Sequence, residues 1–206
     1  MRPRLANGLS DDLAMGGSKV RARALVAFRL DRALRERRLV RLRRGIARAD
    51  KLEGYVVILA DSWLLMALVD DGIRLSGFAA LRSADVVAVK PGSAGGFVGK
   101  ALALQGTWPP TAPPDVDLTD ARKVIASTAE HFPLVTLHLE KSIPDACFIG
   151  RLAGFRKRTV GIREVSPQAT WNREPTEWPL RKITRIDVGR AYENALHAVA
   201  GEPPPC

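Results

Sequence analysis

Gly54-Tyr-Val-Val-Ile-Leu-Ala-Asp-Ser-Trp-Leu-Leu-Met-Ala-Leu-Val69 decides the fold, because the chain writes a version of it twice. The second version is Gly150-Arg-Leu-Ala-Gly-Phe-Arg-Lys-Arg-Thr-Val-Gly-Ile-Arg-Glu-Val165, reached at an offset of 96 residues without a gap. Leu64/Val160, Met66/Ile162 and Val69/Val165 then fall in register. One more residue of offset brings Val86, Val89 and Gly92 onto Ile183, Ile186 and Gly189. That longer offset, applied upstream, brings Val40, Leu42 and Ile46 onto Leu137, Leu139 and Ile143. Downstream, slightly shorter offsets match Phe97 with Tyr192, and Ala101 and Leu102 with Ala195 and Leu196. A repeat of this length implies two similar structural units on one chain.

Working outward, each copy reads as a helix, about five short strands and a closing helix. Val20 to Arg38 has helical spacing, with Val26, Leu30, Ala33, Leu34 and Arg37 on one face. Arg21, Arg29, Arg32 and Arg35 gather on the opposite face, with Leu25 and Phe28 near them. The counterpart is Asp120 to His131, with Thr119 as N-cap and Asp120 in the first turn. Strands are expected at Leu39–Arg43, Tyr55–Leu59, Trp63–Val69, Gly77–Leu81 and Val86–Val89. Asp70-Asp71-Gly72 reads as a tight turn, since Asp-Gly supplies positive φ. The second copy offers Leu134–Glu140, Arg151–Phe155, Thr159–Val165 and Ile183–Val188, with Pro167–Pro179 as a long loop. Gly96–Leu104 and Ala191–Ala200 are the closing helices, the latter with Tyr192, Ala195, Leu196 and Val199 on one face.

The expected organisation is therefore an arm over residues 1–18 and a first unit over 19–106. A Pro-rich linker over 107–117, a second unit over 118–201 and a tail over 202–206 follow. Met15 is an alternative start. Five short strands per copy need curvature to bury their edges, so the expected class is α+β, mainly β, with two small barrels flanked by helices.

These patterns resemble the Sm-like small-barrel superfamily. The resemblance rests on Gly54, Leu64, Met66, Val69, Gly77 and Val86-Val87-Ala88-Val89, and on Gly150, Val160, Ile162, Val165 and Ile183–Ile186. It spans most of residues 39–92 and 134–189. It implies two tandem Sm-like barrels, and Sm-like proteins generally bind RNA as rings through loops at the ends of their ribbons. The loop signatures of that family are not matched: Asp70-Asp71-Gly72 is acidic, and Leu81–Asp85 lacks the Arg-Gly or Lys-Gly pair.

The formal net charge is +10, and residues 1–50 hold 14 Lys+Arg against 5 Asp+Glu. Residues 51–206 are nearly balanced, at 18 against 17. A basic segment of this kind fits an anionic partner, either the phosphates of RNA or DNA or an acidic protein surface. The candidate contacts are Arg21, Arg29, Arg32 and Arg35, the basic turn Arg156-Lys157-Arg158, and Trp171 in the long loop of the second copy. The runner-up function is a protein–protein adaptor, an assembly subunit or a toxin-neutralising immunity protein.

No catalytic signature stands out, so the chain reads as a non-catalytic binding protein without a cofactor. Pro91–Lys100 is Gly-rich but is no P-loop, because Ala94 takes the required glycine position and Ala101 offers no hydroxyl. His131, His138, His197, Cys147 and Cys206 have irregular spacing for zinc. A His138–Cys147 nucleophile pair is weighed against Cys147 packing as a small buried residue beside Phe148 and Ile149. Two cysteines are no disulfide scaffold, which points to a reducing cytoplasm. No segment is apolar enough to span a membrane, and a homo-oligomer could form through barrel edges.

Overall fold

The computed structural model describes residues 8–92 and 95–204. In chain order the elements are α1 (Gly8–Arg35), β1 (Leu39–Arg44), β2 (Leu52–Leu59), β3 (Trp63–Val69), β4 (Leu75–Arg82) and β5 (Val86–Pro91). They are followed by α2 (Gly95–Leu104), α3 (Ala121–Ala129), β6 (Val135–His138), β7 (Cys147–Phe155) and β8 (Thr159–Glu164). β9 (Thr176–Pro179), β10 (Arg185–Val188) and α4 (Ala191–Ala200) complete the chain. Single 3-10 turns at Ser83–Asp85 and Leu180–Lys182 join β4 to β5 and β9 to β10. The fold is α+β and mainly β.

Every strand belongs to one antiparallel sheet, in the order β5-β1-β2-β3-β4-β10-β6-β7-β8-β9. The first five positions and the last five repeat the same local order. Two closed barrels are not formed: β4 pairs with β10 of the other copy, through Phe78–Leu81 and Arg185–Val188, and not with its own β5. The sheet is open, with β5 and β9 at its edges.

Equivalent residues do equivalent work in the two copies. A Cβ on Gly54 would lie 2.2 Å from the Ala67 carbonyl oxygen, and one on Gly150 would lie 2.3 Å from that of Arg163. Only glycine permits the two strands to cross so closely there. A register shift follows at Val56/Ile58 in β2 and at Leu152/Gly154 in β7, bending both ribbons at matching places. The repeat differs from its sequence alignment at β1. Val40 sits opposite Gly54 and Val135 sits opposite Gly150, so Val40 corresponds to Val135 and not to Leu137. A slip of two residues leaves the same side chains on the same face, which is why alternation alone did not expose it.

The two larger hydrophobic clusters both draw on β3 and β4. Leu30 and Ala33 of α1 pack with Val40, Leu42, Val56, Leu64, Met66, Ala79, Leu81 and Val89 inside the first copy. The other face of β3 and β4 presents Trp63, Leu65 and Ala80 to the second copy. There they meet Val135, Leu137, Val160, Ile162, Ile186 and the α3 residues Val124 and Ile125. β3 is thus buried on both faces, which accounts for its unbroken apolar run Trp63–Val69. A buried ion pair also joins the two copies. Arg44 at the end of β1 is paired bidentately with Glu140, and Thr184 Oγ1 donates to Glu140 at 2.7 Å.

Several local expectations are corrected. α1 starts at Gly8, well before Val20, and contains Met15, so much of the stretch read as an arm is helical; residues 1–7 and Cys206 lie outside the described residues. Asp120, not Thr119, is the N-cap of α3, its Oδ1 accepting from Lys123 N–H at 3.0 Å. In the Asp70–Arg74 turn the positive φ falls on Ile73 (56°), not on Gly72. β9 forms inside the segment read as a loop. On α4 the inward face holds Leu196 and Glu193, leaving Tyr192 and Val199 exposed.

Candidate anion-binding surface

At one end of the second copy two connections come together. The β7–β8 hairpin turns through Arg156-Lys157-Arg158, closed by Arg156 N–H donating to Thr159 O at 3.1 Å. The 3-10 turn Leu180–Lys182 is tied to it by Leu180 N–H donating to Arg158 O at 3.1 Å. From α3, the Arg122 guanidinium lies 4.7 Å from the centre of the Phe155 ring and donates to Arg156 O. Six cations of the second copy therefore share this end: Arg122, Arg156, Lys157, Arg158, Arg181 and Lys182, and Arg82 of β4 also reaches it, donating to Leu180 O and Arg181 O. Glu177 is the carboxylate within reach, 3.4 Å from Arg156. Lys157, Arg158, Arg181 and Lys182 are exposed and have no ion-pair partner among the described residues.

The first copy makes the same backbone with different charge. Ala60 N–H donates to Trp63 O at 3.0 Å in the matching hairpin, whose turn is Ala60-Asp61-Ser62. Its 3-10 turn is Ser83-Ala84-Asp85. The basic end is thus a property of one copy, carried by side chains on a shared frame. Arg122, Arg181 and Lys182 were not singled out from the sequence. The signal was present in the 97-residue offset, which aligns Ala84-Asp85 with Arg181-Lys182.

The second basic surface is α1, which packs on β2 and β5 on the other half of the sheet. Arg21, Arg29, Arg32 and Arg35 are all exposed, as the helical pattern predicts. Part of that charge is neutralised locally. Arg32 bonds Glu36 at 2.9 Å, Arg38 also pairs with Glu36, and Arg35 pairs with Asp31. Arg29 turns inward, its Nη1 donating to Val89 O on the sheet edge at 3.3 Å. Between α1 and that edge lies an open groove of about 450 Å³ lined by Arg29, Arg32, Arg38 and Lys90. Leu25 and Phe28, 47% and 57% exposed, stand beside these arginines.

The remaining candidates are held structurally. Trp171 donates from Nε1 to Gly201 O at 3.2 Å and packs with Leu134, Val165 and Leu196, so it anchors the loop to α4. Cys147 is exposed, not buried as its neighbours suggested, and stands opposite His138 across the β6–β7 ladder. Desolvation and then the Asp187 and Glu193 carboxylates push its thiol above the usual value, opposite to what a nucleophile needs. His138 Nε2 faces Asp187 Oδ2 at 3.5 Å. His131 contacts Pro114 O at 2.9 Å. The described part of the Gly-rich stretch forms the end of β5 and α2; Ala94 lies outside the described residues. Among the described residues no group of three or more His, Cys, Asp or Glu could hold a metal ion, and no helix is long and apolar enough to cross a membrane.

No protein-family model matches the chain, and no curated protein or solved structure is found to be similar to it.

Proposed function

We propose that this chain is a non-catalytic binding protein whose ligand is the phosphate backbone of RNA or DNA, held at the basic end of the second copy. The reading rests on one observation: two adjacent turns carry Lys157, Arg158, Arg181 and Lys182 outward, without carboxylate partners among the described residues. Phosphate oxygens satisfy such a cluster without any base contact, so sequence-independent affinity is expected. α1, through Arg21 and the Arg29–Arg32 groove, supplies a second contact on a longer strand. Each copy is read as an open, strongly bent Sm-like unit, on the strength of the repeated strand order and of Gly54 and Gly150. A cytoplasmic location belongs to the same reading.

Fluorescence anisotropy with a labelled single-stranded RNA, a DNA of the same sequence and a duplex tests it. Affinity should fall linearly on a log–log plot against salt, with a slope of about −0.7 for each phosphate neutralised on a single strand. Absence of binding to all three at low salt would overturn the proposal. A second reading, docking on an acidic protein, is favoured by Leu25 and Phe28 standing exposed beside the α1 arginines. It predicts one stoichiometric protein partner in a pull-down, with no co-purifying nucleic acid.

A further inference from the structure

The internal junction shows how one copy of this unit receives another. Arg82 N–H reaches Thr184 O, so along β4 the residues Phe78, Ala80 and Arg82 direct their N–H groups toward β10. Leu65, Trp63, Phe78 and Ala80 give that side an apolar face for the second core. The repeat identifies the same positions on β9. Pairing of Trp63 with Arg82 and of Thr159 with Pro179 makes Pro179 the counterpart of Arg82. Glu177 then replaces Ala80, and Pro175 replaces Phe78.

Leu180 N–H is turned toward β8, so Pro175, Glu177 and Pro179 are the residues facing the open edge. Two of the three have no N–H to give. The apolar face has changed as well: Thr159 and Gly161 stand where Trp63 and Leu65 stand in the first copy. At the opposite edge, Gly92 N–H donates to Leu39 O on the β1 side, which leaves Val89 and Pro91 facing outward. Pro91 takes the place of Val188, and Val89 O is already occupied by Arg29. Proline, an inward-turned cation and a polar outer face are the ways natural sheets stop edge-to-edge growth, and terminal repeats of an array carry the polar face.

We propose that the two-copy sheet is terminated at both edges, so that the chain neither forms a ring nor propagates through its strands. The closed β5 edge has a second effect. A strand added there would displace Arg29 from Val89 and fill the groove lined by Arg32, Arg38 and Lys90, so termination keeps that groove open on each chain.

Two measurements on the full chain test this. Sedimentation equilibrium should give a single species of 22.4 kDa for the natural protein. The combined substitutions Pro91→Val, Pro175→Phe and Pro179→Arg put back the three junction residues that the prolines replace, and should raise the mass with concentration. A folded triple variant that stays monomeric overturns the assignment to the prolines. Hydrogen exchange on the natural protein provides the arm that needs no variant. The Val89 and Glu177 amides should exchange at the same rate from low to high protein concentration. Concentration-dependent protection of those amides would overturn termination itself.

Discussion

Arg185 and Asp187 lie 1% exposed each, on one strand, two residues apart and on one face. Arg185 Nε donates to Asp187 Oδ1 at 2.6 Å, and Nη1 reaches Asp50 of the first copy at 3.1 Å. Burial alone would raise the Asp187 carboxyl, but the Arg185 charge and His138 outweigh it and hold it well below the usual range. Glu140 is likewise lowered against its own burial, by hydrogen bonds from Arg44 and Thr184. Both groups have folded values below their unfolded ones, about 3.9 for Asp and 4.3 for Glu. Their contribution is present above about pH 5 and is lost as the pH falls through 4 and below. Chemical denaturation should show a plateau from pH 7 to 5 and a steep loss beneath it. Asp187→Asn should cost about 3–5 kcal/mol at pH 7, because it leaves Arg185 buried with a weaker partner. Its deficit should narrow by pH 3; a constant deficit would contradict this linkage. None of this was legible in the sequence, where Arg185 and Asp187 looked like ordinary strand residues.

At the scale of elements, the strands with clear periodicity were legible and those defined by partners were not. Trp63–Val69 matches its expected bounds, and its seven apolar residues suit a strand buried on both faces. β9 escaped notice because Pro175 and Pro179 bracket Thr176-Glu-Trp, and prolines signal a loop unless the strand is an edge. On α4 the apolar residues misled, since the helix buries Glu193, which accepts from Thr136 Oγ1 at 2.6 Å. Tyr192 and Val199 are left outside, at 55% and 78% exposure, as Phe97 and Leu104 are on α2. The contrast is measurable by urea denaturation. Leu196→Ala should cost about 2–5 kcal/mol, while Tyr192→Ser and Val199→Ser should each stay within about 0.5 kcal/mol. Equal costs would place the α4 face wrongly.

For the whole molecule, the duplication was legible but the joining of the two copies into one open sheet was not. Alternation marks which side chains face a core; it does not say whether β4 pairs with its own β5 or with β10. The pairing observed makes the first copy's Trp63 part of the second copy's core, so the halves share stability. Thermal unfolding followed by tryptophan fluorescence and by far-ultraviolet dichroism should give one coincident transition. Trp63→Ala should lower it by about 3–5 kcal/mol and increase amide exchange in β6 and β10 as well as β3. Two separated transitions would show the halves to be independent.

The charge of the molecule follows the same logic of one frame and two uses. The first copy closes its hairpin with Ala60-Asp61-Ser62, and the second closes the same hairpin with Arg156-Lys157-Arg158. Exchanging the turns tests the central claim with the backbone kept. In Arg156→Ala, Lys157→Asp, Arg158→Ser protein, affinity for a labelled single-stranded RNA should drop at least tenfold at low salt. The log–log salt slope should shrink by about 2, or about 0.7 for each of the three lost cations. Unchanged affinity and slope in the folded variant would contradict the account.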